Sequence, residues 1–455
     1  MDLALFHTTL VVASLGFLFV AMAARRQHRS PQSAFAWLLF TALLPYIAVP
    51  AFLALGNRKT LPSARLVRFG QEKVPENLAP FSVALNRLSA HSGLPAVSEG
   101  NAIDLISDGK QAHAALSGMI ASAQKSIDMV FYKFGADEVA RDFIARLADK
   151  AKKGVRVRLL LDGYGSRNRP RRELRTLEEA GAMVRIFAPL VANPVRGHIN
   201  LRNHRKMVIA DTDQVFAGGM NIGREYLGDG DDDSRWADLA YVARGPVLAD
   251  FERLFLSDWA RAGNEPVVFP PSPQPAAAGT SVVQLLPSGP DIAEDVLHDA
   301  IVMGCHRAQR RITVVTPYFL PSSAIAGALS VAVRRGVPVT LIIPEVSNQR
   351  LADLARASFL REMADSGIAV LAHPGMVHAK AIIIDDCSFA GSANLDIRSL
   401  YINFEAMLVF HTESDTARLA EWVDRLARQT RRWRPDHGIF RRMSEIVFRL
   451  AAPLM

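Results

Sequence analysis

The sequence predicts an α/β protein: two pseudo-repeated α-β-α domains with a shared central site, preceded by an N-terminal membrane-anchoring helical hairpin. Three observations carry this expectation. Apolar runs of strand length alternate with helical stretches that stop at glycine, which argues for βαβ units on largely parallel sheets. The alternation occurs twice, and each copy ends in the same polar string. The first sixty residues hold two long runs without a charged residue. Composition agrees: of 455 residues 49% are hydrophobic and 22% charged, which excludes a disordered or collagen-like chain. Two cysteines, Cys305 and Cys387, exclude a disulfide framework. The net charge of +8 favours anionic partners.

The anchor comes first (residues 1–60). Leu3 to Ala24 and Ser30 to Asn57 contain no Asp, Glu, Lys or Arg. Each exceeds the ~20 apolar residues that a helix needs to cross the hydrocarbon. Pro45 and Pro50 are expected to bend the second helix, and Trp37 and Tyr46 suit an interface. A cleaved signal peptide ending near Ala21-Met22-Ala23 is the rival reading, but the start carries Asp2 and no Lys or Arg. Arg25, Arg26 and Arg29 precede the second segment, and Arg58, Lys59, Arg65 and Arg68 follow it. The positive-inside rule is therefore nearly silent, and a shallow re-entrant hairpin stays open.

The first repeat is placed at 96–265. Its strands are Ile127-Asp-Met-Val-Phe-Tyr132, Val155 to Leu161, and Gly181 to Ile186, with a helix ending at Lys152-Lys153-Gly154. The proline-rich stretch 266–280 reads as a linker. The second repeat, 281–430, has Ile312 to Tyr318, a helix over Ala324 to Arg335, Val337 to Ile343, and Gly367 to Leu371. Residues 431–455 form a tail in which Ile439, Phe440, Met443, Ile446, Val447 and Leu450 follow helical spacing, with Arg441, Arg442 and Arg449 off that stripe. It suits either a basic amphipathic helix in the interface or packing on the second domain.

Each repeat then carries one constellation. His204-Arg-Lys206 leads through an apolar run to Asp211 and on to Gly218-Gly-Met-Asn221. His378-Ala-Lys380 leads likewise to Asp385 and on to Gly391-Ser-Ala-Asn394. In a strand, residues two apart share a face, so each His stands with its Lys. Two ammoniums and two amides converging on one point fit a phosphate diester. Two imidazoles suit in-line displacement, one attacking phosphorus and the other protonating the leaving oxygen. No third or fourth His or Cys ligand is spaced for zinc and no Gly-rich nucleotide loop is evident, so neither zinc nor a nucleotide cofactor is expected.

The duplicated string resembles the HKD motif of the phospholipase D superfamily. The likeness spans nearly the whole chain and is greatest to bacterial cardiolipin synthases. It rests on Ala36-Trp37-Leu38, Leu44-Pro45-Tyr46, Arg202 to Lys206, Gly218 to Ile222, Thr316 to Pro321, Gly391 to Ser399, Asn403-Phe404-Glu405 and Leu450 to Leu454. Three departures stand out. Trp236-Ala237-Asp238-Leu239-Ala240 lacks an Arg after the Trp and a His two after the Asp. The second motif is one residue shorter between Asp385 and Asn394 than the first between Asp211 and Asn221. Asn348 stands where Asp is common.

The resemblance implies metal-free, two-step transfer through phosphohistidine. His204 would be the nucleophile and His378 the general acid, then base. The catalytic set is His204, Lys206, Asp211, His378, Lys380 and Asp385, with Asn221, Asn394 and both lysines on the phosphate. Asp211 and Asp385, seven after their His, read as structural members of that motif, holding the turn. Asp238 and Glu405 occupy corresponding places and are preferred as the acceptors that orient the histidines.

The expected function is a cardiolipin synthase using phosphatidylglycerol, an anionic phospholipid, at the bacterial inner membrane with its catalytic part facing the cytoplasm. The alternatives are a membrane-bound phospholipase D that hydrolyses or uses another alcohol, a nucleic-acid phosphodiesterase, and a non-catalytic membrane scaffold. An anchored start and 8% aromatics argue against nucleic acid, so no such partner is expected. Oligomeric state is not readable. Ser166 to Arg175, with five arginines, suits acidic headgroups or a solvated loop. Asp229 and Asp231 to Asp233 lack the Gly and Glu of a calcium loop.

Overall fold

The computed structural model describes residues 3–24, 31–56, 78–189, 200–269, 275–292 and 294–434. The basic residues flanking the anchor, Arg25 to Arg29 and Arg58 to Arg68, and the stripe from Ile439 to Leu450 lie outside the described residues.

Helix α1 (Leu3–Ala24) contains an 18-residue window, Leu5–Met22, of mean hydropathy 2.0, and is the one described helix long and apolar enough to cross a membrane. The second apolar segment is not a single bent helix, as the sequence suggested. It is split into α2 (Pro31–Leu43) and α3 (Pro45–Leu55), of 13 and 11 residues. Leu44, at φ −140° and ψ 63°, leaves the helical region because Pro45 crowds the residue before it and opens α3 as its first residue. Pro50 is accommodated inside α3. The three helices close on Leu18, Trp37 and Phe52, with Trp37 edge-on to Phe52 at 5.2 Å. Trp37 is therefore buried rather than interfacial, whereas Tyr46 is exposed and meets His7 at 3.2 Å. Phe6, Phe19, Phe35 and Ile47 leave the outer face of this unit apolar.

The first half continues with α4 (Pro80–His91), β1 (Ser98–Ile106), α5 (Gly109–Ser122), β2 (Ser126–Phe131), α6 (Glu138–Lys152), β3 (Arg156–Asp162), α7 (Arg171–Glu179), β4 (Met183–Phe187), β5 (Met207–Ala210), β6 (Gln214–Gly218), β7 (Ala240–Arg244) and α8 (Leu248–Gly263). The second holds β8 (Ser281–Ser288), α9 (Val296–Arg307), β9 (Ile312–Val315), β10 (Phe319–Leu320), α10 (Ser323–Arg334), β11 (Val339–Pro344), α11 (Arg350–Asp365), β12 (Ala369–His373), β13 (Ala381–Ile384), β14 (Cys387–Gly391), β15 (Leu395–Asp396), α12 (Ile397–Tyr401), β16 (Glu405–Phe410), α13 (Glu413–Arg428) and β17 (Arg431–Arg432).

Helix α6 shows why the pattern folds as it does. Asp137 caps its start by accepting from Ala140 N at 3.0 Å. Val139, Ala140, Phe143, Ile144, Leu147 and Ala148 form one buried stripe, and Gly154 at φ 85° turns the chain into β3. Truncating the fully buried Phe143 to Ala costs about 3–5 kcal/mol. Helix α10 has the same plan, with Ser322 as cap and Gly336 at φ 87°.

Among the described residues fifteen strands form one sheet, ordered β17-β12-β11-β9-β13-β14-β16-β8-β1-β7-β6-β5-β2-β3-β4. Leaving out the edge strand β17, the order outward from β1 matches that outward from β8, strand for strand. The sheet is mixed, which corrects the expectation of largely parallel strands. Only β2-β3-β4 and β9-β11-β12 run parallel within it. Helical crossovers serve those triplets, while β5-β6 and β13-β14 are joined by turns too short for anything but antiparallel pairing. A core of Ile103, Tyr241 and Phe251 merges with Leu285, Ile383 and Phe410, so the halves share buried interior rather than a polar seam.

Candidate active site

His204 and His378 do not sit inside strands. Each lies in an extended segment just before β5 or β13 and pairs across to the other half. His204 N donates to Phe404 O at 2.9 Å, and His378 N donates to Ala237 O at 2.7 Å. Phe404 and Ala237 each immediately precede a carboxylate. This register brings Glu405 to His204 Nδ1 at 3.0 Å and Asp238 to His378 Nδ1 at 2.6 Å. Each imidazole is thus held by the carboxylate of the opposite half. Both carboxylates are fully buried.

The two rings differ in their second contacts. His204 Nδ1 also faces the Ser392 carbonyl at 3.2 Å, so it has two acceptors and no donor; it carries the proton and leaves a lone pair on Nε2. His378 Nδ1 lies between Asp238 and the Lys380 ammonium, 2.8 Å away. Lys206 Nζ donates to His204 O at 2.5 Å, and Lys380 Nζ to His378 O. Burial, with both lysines adding to it and Glu405 opposing, pushes the His204 pKa down to about 4. Burial and the Lys380 charge push His378 down to about 3. Burial also brings Lys206 down to about 7 and Lys380 to about 8. For Asp238 and Glu405, burial alone would raise the pKa, but the neighbouring imidazole and ammonium outweigh it and hold both below the ordinary range.

Asn221 Oδ1 accepts from Lys133 N at 3.0 Å, and Asn394 Nδ2 donates to Ser399 Oγ at 3.2 Å. One motif glycine clears space for a carboxylate. A Cβ on Gly219 would stand 2.2 Å from Asp238 Oδ1; Ser392, at the matching place, instead donates to Glu405 at 2.5 Å. Arg205 braces the segment by bonding Asp258 at 2.5 Å and the Glu405 carbonyl at 3.0 Å.

Asp211 and Asp385 are placed elsewhere. Asp211 accepts from the backbone N–H groups of Gln124, Lys125 and Ser126 at 2.7–2.8 Å. Asp385 accepts from Gln309, Arg310 and Arg311 at 2.8–3.0 Å. Both have φ 52°, a left-handed conformation that Asp tolerates. The missing residue of the second motif falls in this turn, which is Asp385-Asp386 against Asp211-Thr212-Asp213.

Sequence reasoning missed the aromatic walls. Tyr132 stands edge-on to His204 at 4.6 Å, and Tyr226 edge-on to His378 at 5.1 Å, with Trp236 tilted at 5.6 Å. A tyrosine closing both expected strands, at 132 and 318, was the available signal. In the acidic loop Asp231 pairs with Lys110 at 3.0 Å and Asp232 accepts from Ser234 Oγ at 2.6 Å. Among the described residues no group of three His, Cys, Asp or Glu side chains is placed to share a metal ion.

Fold and site define a phosphodiester-transferring α/β enzyme of the phospholipase D superfamily. The chain belongs to the family described as "Cardiolipin synthase, PLD-like domain", whose model matches residues 116–259 and 304–427. It is 31% identical to cardiolipin synthase A of Pseudomonas fluorescens (strain SBW25), covering 88% of this chain and 87% of that protein. It is 28% identical to the cardiolipin synthase of Geobacillus kaustophilus (98% and 93%), and 27% identical to the major cardiolipin synthase of Bacillus subtilis (97% of each). Among solved structures, phosphatidylserine synthase of Haemophilus influenzae matches with a TM-score of 0.64 at 14% identity, covering 82% of this chain and 100% of that one; it shares the fold.

Proposed function

We propose that the protein is a cardiolipin synthase that moves a phosphatidyl group from one phosphatidylglycerol to the hydroxyl of another and releases glycerol. The observation that carries this is the crossed pair of histidine–carboxylate contacts, flanked by two buried lysines, in a chain similar over nearly its full length to cardiolipin synthases.

The charges explain how the site works. Lys206 and Lys380 balance Asp238 and Glu405, and the two imidazoles are neutral in the resting site. A bound diester adds one negative charge, which one proton on an imidazole restores to balance. That is the state in-line transfer needs, one neutral ring and one cationic ring, titrating as a coupled pair. His204 Nε2 attacks phosphorus and a P–N bond forms. The bond to the glycerol oxygen breaks, and that oxygen takes the proton from His378. In the second step neutral His378 removes the proton of the incoming hydroxyl, whose oxygen displaces His204. The two acceptors at His204 Nδ1 support its role as nucleophile, and the short Asp238 contact suits a ring that becomes cationic. Lys206, Lys380, Asn221 and Asn394 hold the phosphate oxygens. Asp238 and Glu405 orient the rings, while Asp211 and Asp385 hold turns.

The finer architecture follows the same reading. Residues 96–265 and 281–430 are two pseudo-repeated phospholipase D-like domains, joined by 266–280 and followed by a tail, 431–455. Residues 1–60 anchor the protein as a hairpin in the bacterial cell membrane, with the catalytic part facing the cytoplasm. The partner is the anionic phospholipid substrate, and no nucleic acid is required.

The test supplies purified protein with labelled phosphatidylglycerol in mixed micelles and identifies products by mass. Cardiolipin with free glycerol is expected, and His204→Ala or His378→Ala abolishes both. Phosphatidic acid as the main product would replace transfer with hydrolysis, and no product would leave a scaffold.

A further inference from the structure

Outside the N-terminal helices, five large apolar or aromatic side chains are exposed among the described residues, and three of them lie at two corresponding places. Tyr164 is on the loop between β3 and α7. Val346 and Leu351, 67% and 61% exposed, are on the loop between β11 and α11 and the first turn of α11. Both loops leave the C-terminal end of a parallel strand.

Both are also tied to the rim of the site. Ser166 Oγ donates to Tyr132 O at 2.9 Å, and the Tyr132 ring stands against His204. Asp162 accepts from Tyr164 N and Gly165 N at 2.9 Å and from Asn203 N at 3.0 Å, which locks the first loop to the residue before His204. On the other side Tyr318 Oη donates to Asn348 Oδ1, and Tyr318 lies within electrostatic reach of Tyr132.

The exposed charge on the first loop is mainly basic. Arg167, Arg171, Arg172 and Arg175 are exposed, and Arg169 is half-buried. Arg167 lies over the Tyr164 ring at 5.0 Å. Glu173, the acid among them, is engaged by Arg141 at 3.4 Å. On the second loop Glu345 and Arg350 are both exposed, one charge of each sign. An exposed aromatic tip rimmed by arginines on one loop, and two exposed aliphatic tips on the corresponding loop, match an anionic lipid surface.

We propose that these two loops are the surface on which the catalytic mouth seats against a bilayer rich in anionic phospholipid. Val346 and Leu351 enter the acyl boundary, and Tyr164 and the arginines lie among the headgroups. The proposal rests on the lipid-phosphodiester reading and adds how the site meets its substrate: the N-terminal helices tether, and the rim orients.

The experiment uses the full chain reconstituted in vesicles of phosphatidylcholine alone or with phosphatidylglycerol. Val346→Cys takes an environment-sensitive dye, because Cys305 and Cys387 are buried. Asp424→Cys, on an exposed face of α13, is the control. The dye at 346 should shift to the blue with phosphatidylglycerol, and the dye at 424 should not. A variant with Arg167, Arg171, Arg172 and Arg175 all changed to Gln should lose roughly tenfold or more on vesicles, yet stay within about twofold of the parent on soluble short-chain phosphatidylglycerol. No shift at 346, equal loss on both substrates, or no loss on either overturns the proposal. If the parent turns over neither substrate, the proposed function fails, and the dye still decides the surface.

Discussion

At the scale of single residues, the site is organised by burial. Two ammoniums and two imidazoles out of water carry lowered pKa values, and Asp238 and Glu405 oppose that shift most strongly at the lysines. As the pH rises through about 7 and then 8, Lys206 and Lys380 lose their protons, and on the proposed mechanism the phosphate loses its cations. A pH profile of kcat/KM in mixed micelles should therefore fall above about pH 8, mainly through KM; a flat profile to pH 9 would exclude the lysines from binding. The same burial gives the histidines an acid-sensitive contribution to stability. Their folded pKa values, about 4 and 3, lie below the unfolded value of ~6.5, so that contribution is present above pH ~6.5 and is lost as the pH falls toward 4 and 3. Replacing either carboxylate by its amide, Glu405→Gln or Asp238→Asn, keeps the shape and removes the charge that favours the imidazolium. Turnover should drop by about 10²-fold or more with an unchanged circular dichroism spectrum. Unaltered turnover would remove that carboxylate from the chemistry.

At the scale of elements, the motif aspartates belong to turns. Asp211→Ala or Asp385→Ala leaves three backbone N–H groups without their acceptor and places Ala at a positive φ. Each should lower unfolding stability by ~1–3 kcal/mol in denaturant titration, while kcat per folded molecule changes by less than about threefold. A far larger loss of kcat would return them to the active centre. Part of each half was legible because glycine stops and apolar runs act locally: β2, β3, β4, β11 and α10 lie within about two residues of their expected ends. Four features were not. The break at Leu44 depends on whether proline bends or ends a helix, which packing decides. The mixed sheet follows from the turns after β5 and β13, whose length the strand patterns do not show. The pairing of each histidine with the far carboxylate could not be read, because a symmetric sequence allows a near or a crossed assignment equally. The aromatic walls were hidden for another reason: Tyr226 and Trp236 reach His378 only through tertiary contact.

At the scale of the whole molecule, one sheet crosses both halves through the β1–β8 pair, and one apolar core lies across them. Neither half can then be a free-standing unit. Separate expression of residues 1–269 and 275–455 should give inactive, aggregation-prone fragments, because each exposes a long sheet edge and half a core. Co-expression should restore activity if the two pieces meet during folding. Activity in either fragment alone would mean that a single histidine set suffices.

The crossed pairing of imidazole and carboxylate also constrains inheritance. A recombination event in the stretch between the halves would join a histidine from one parent to an orienting acid from the other, at both reacting positions at once. Asp in one half and Glu in the other have side chains of different reach, each fitted to the neighbouring Gly219 or Ser392. Chimaeras between distant relatives should therefore fail at both rings together, and lineages should exchange this gene whole or not at all.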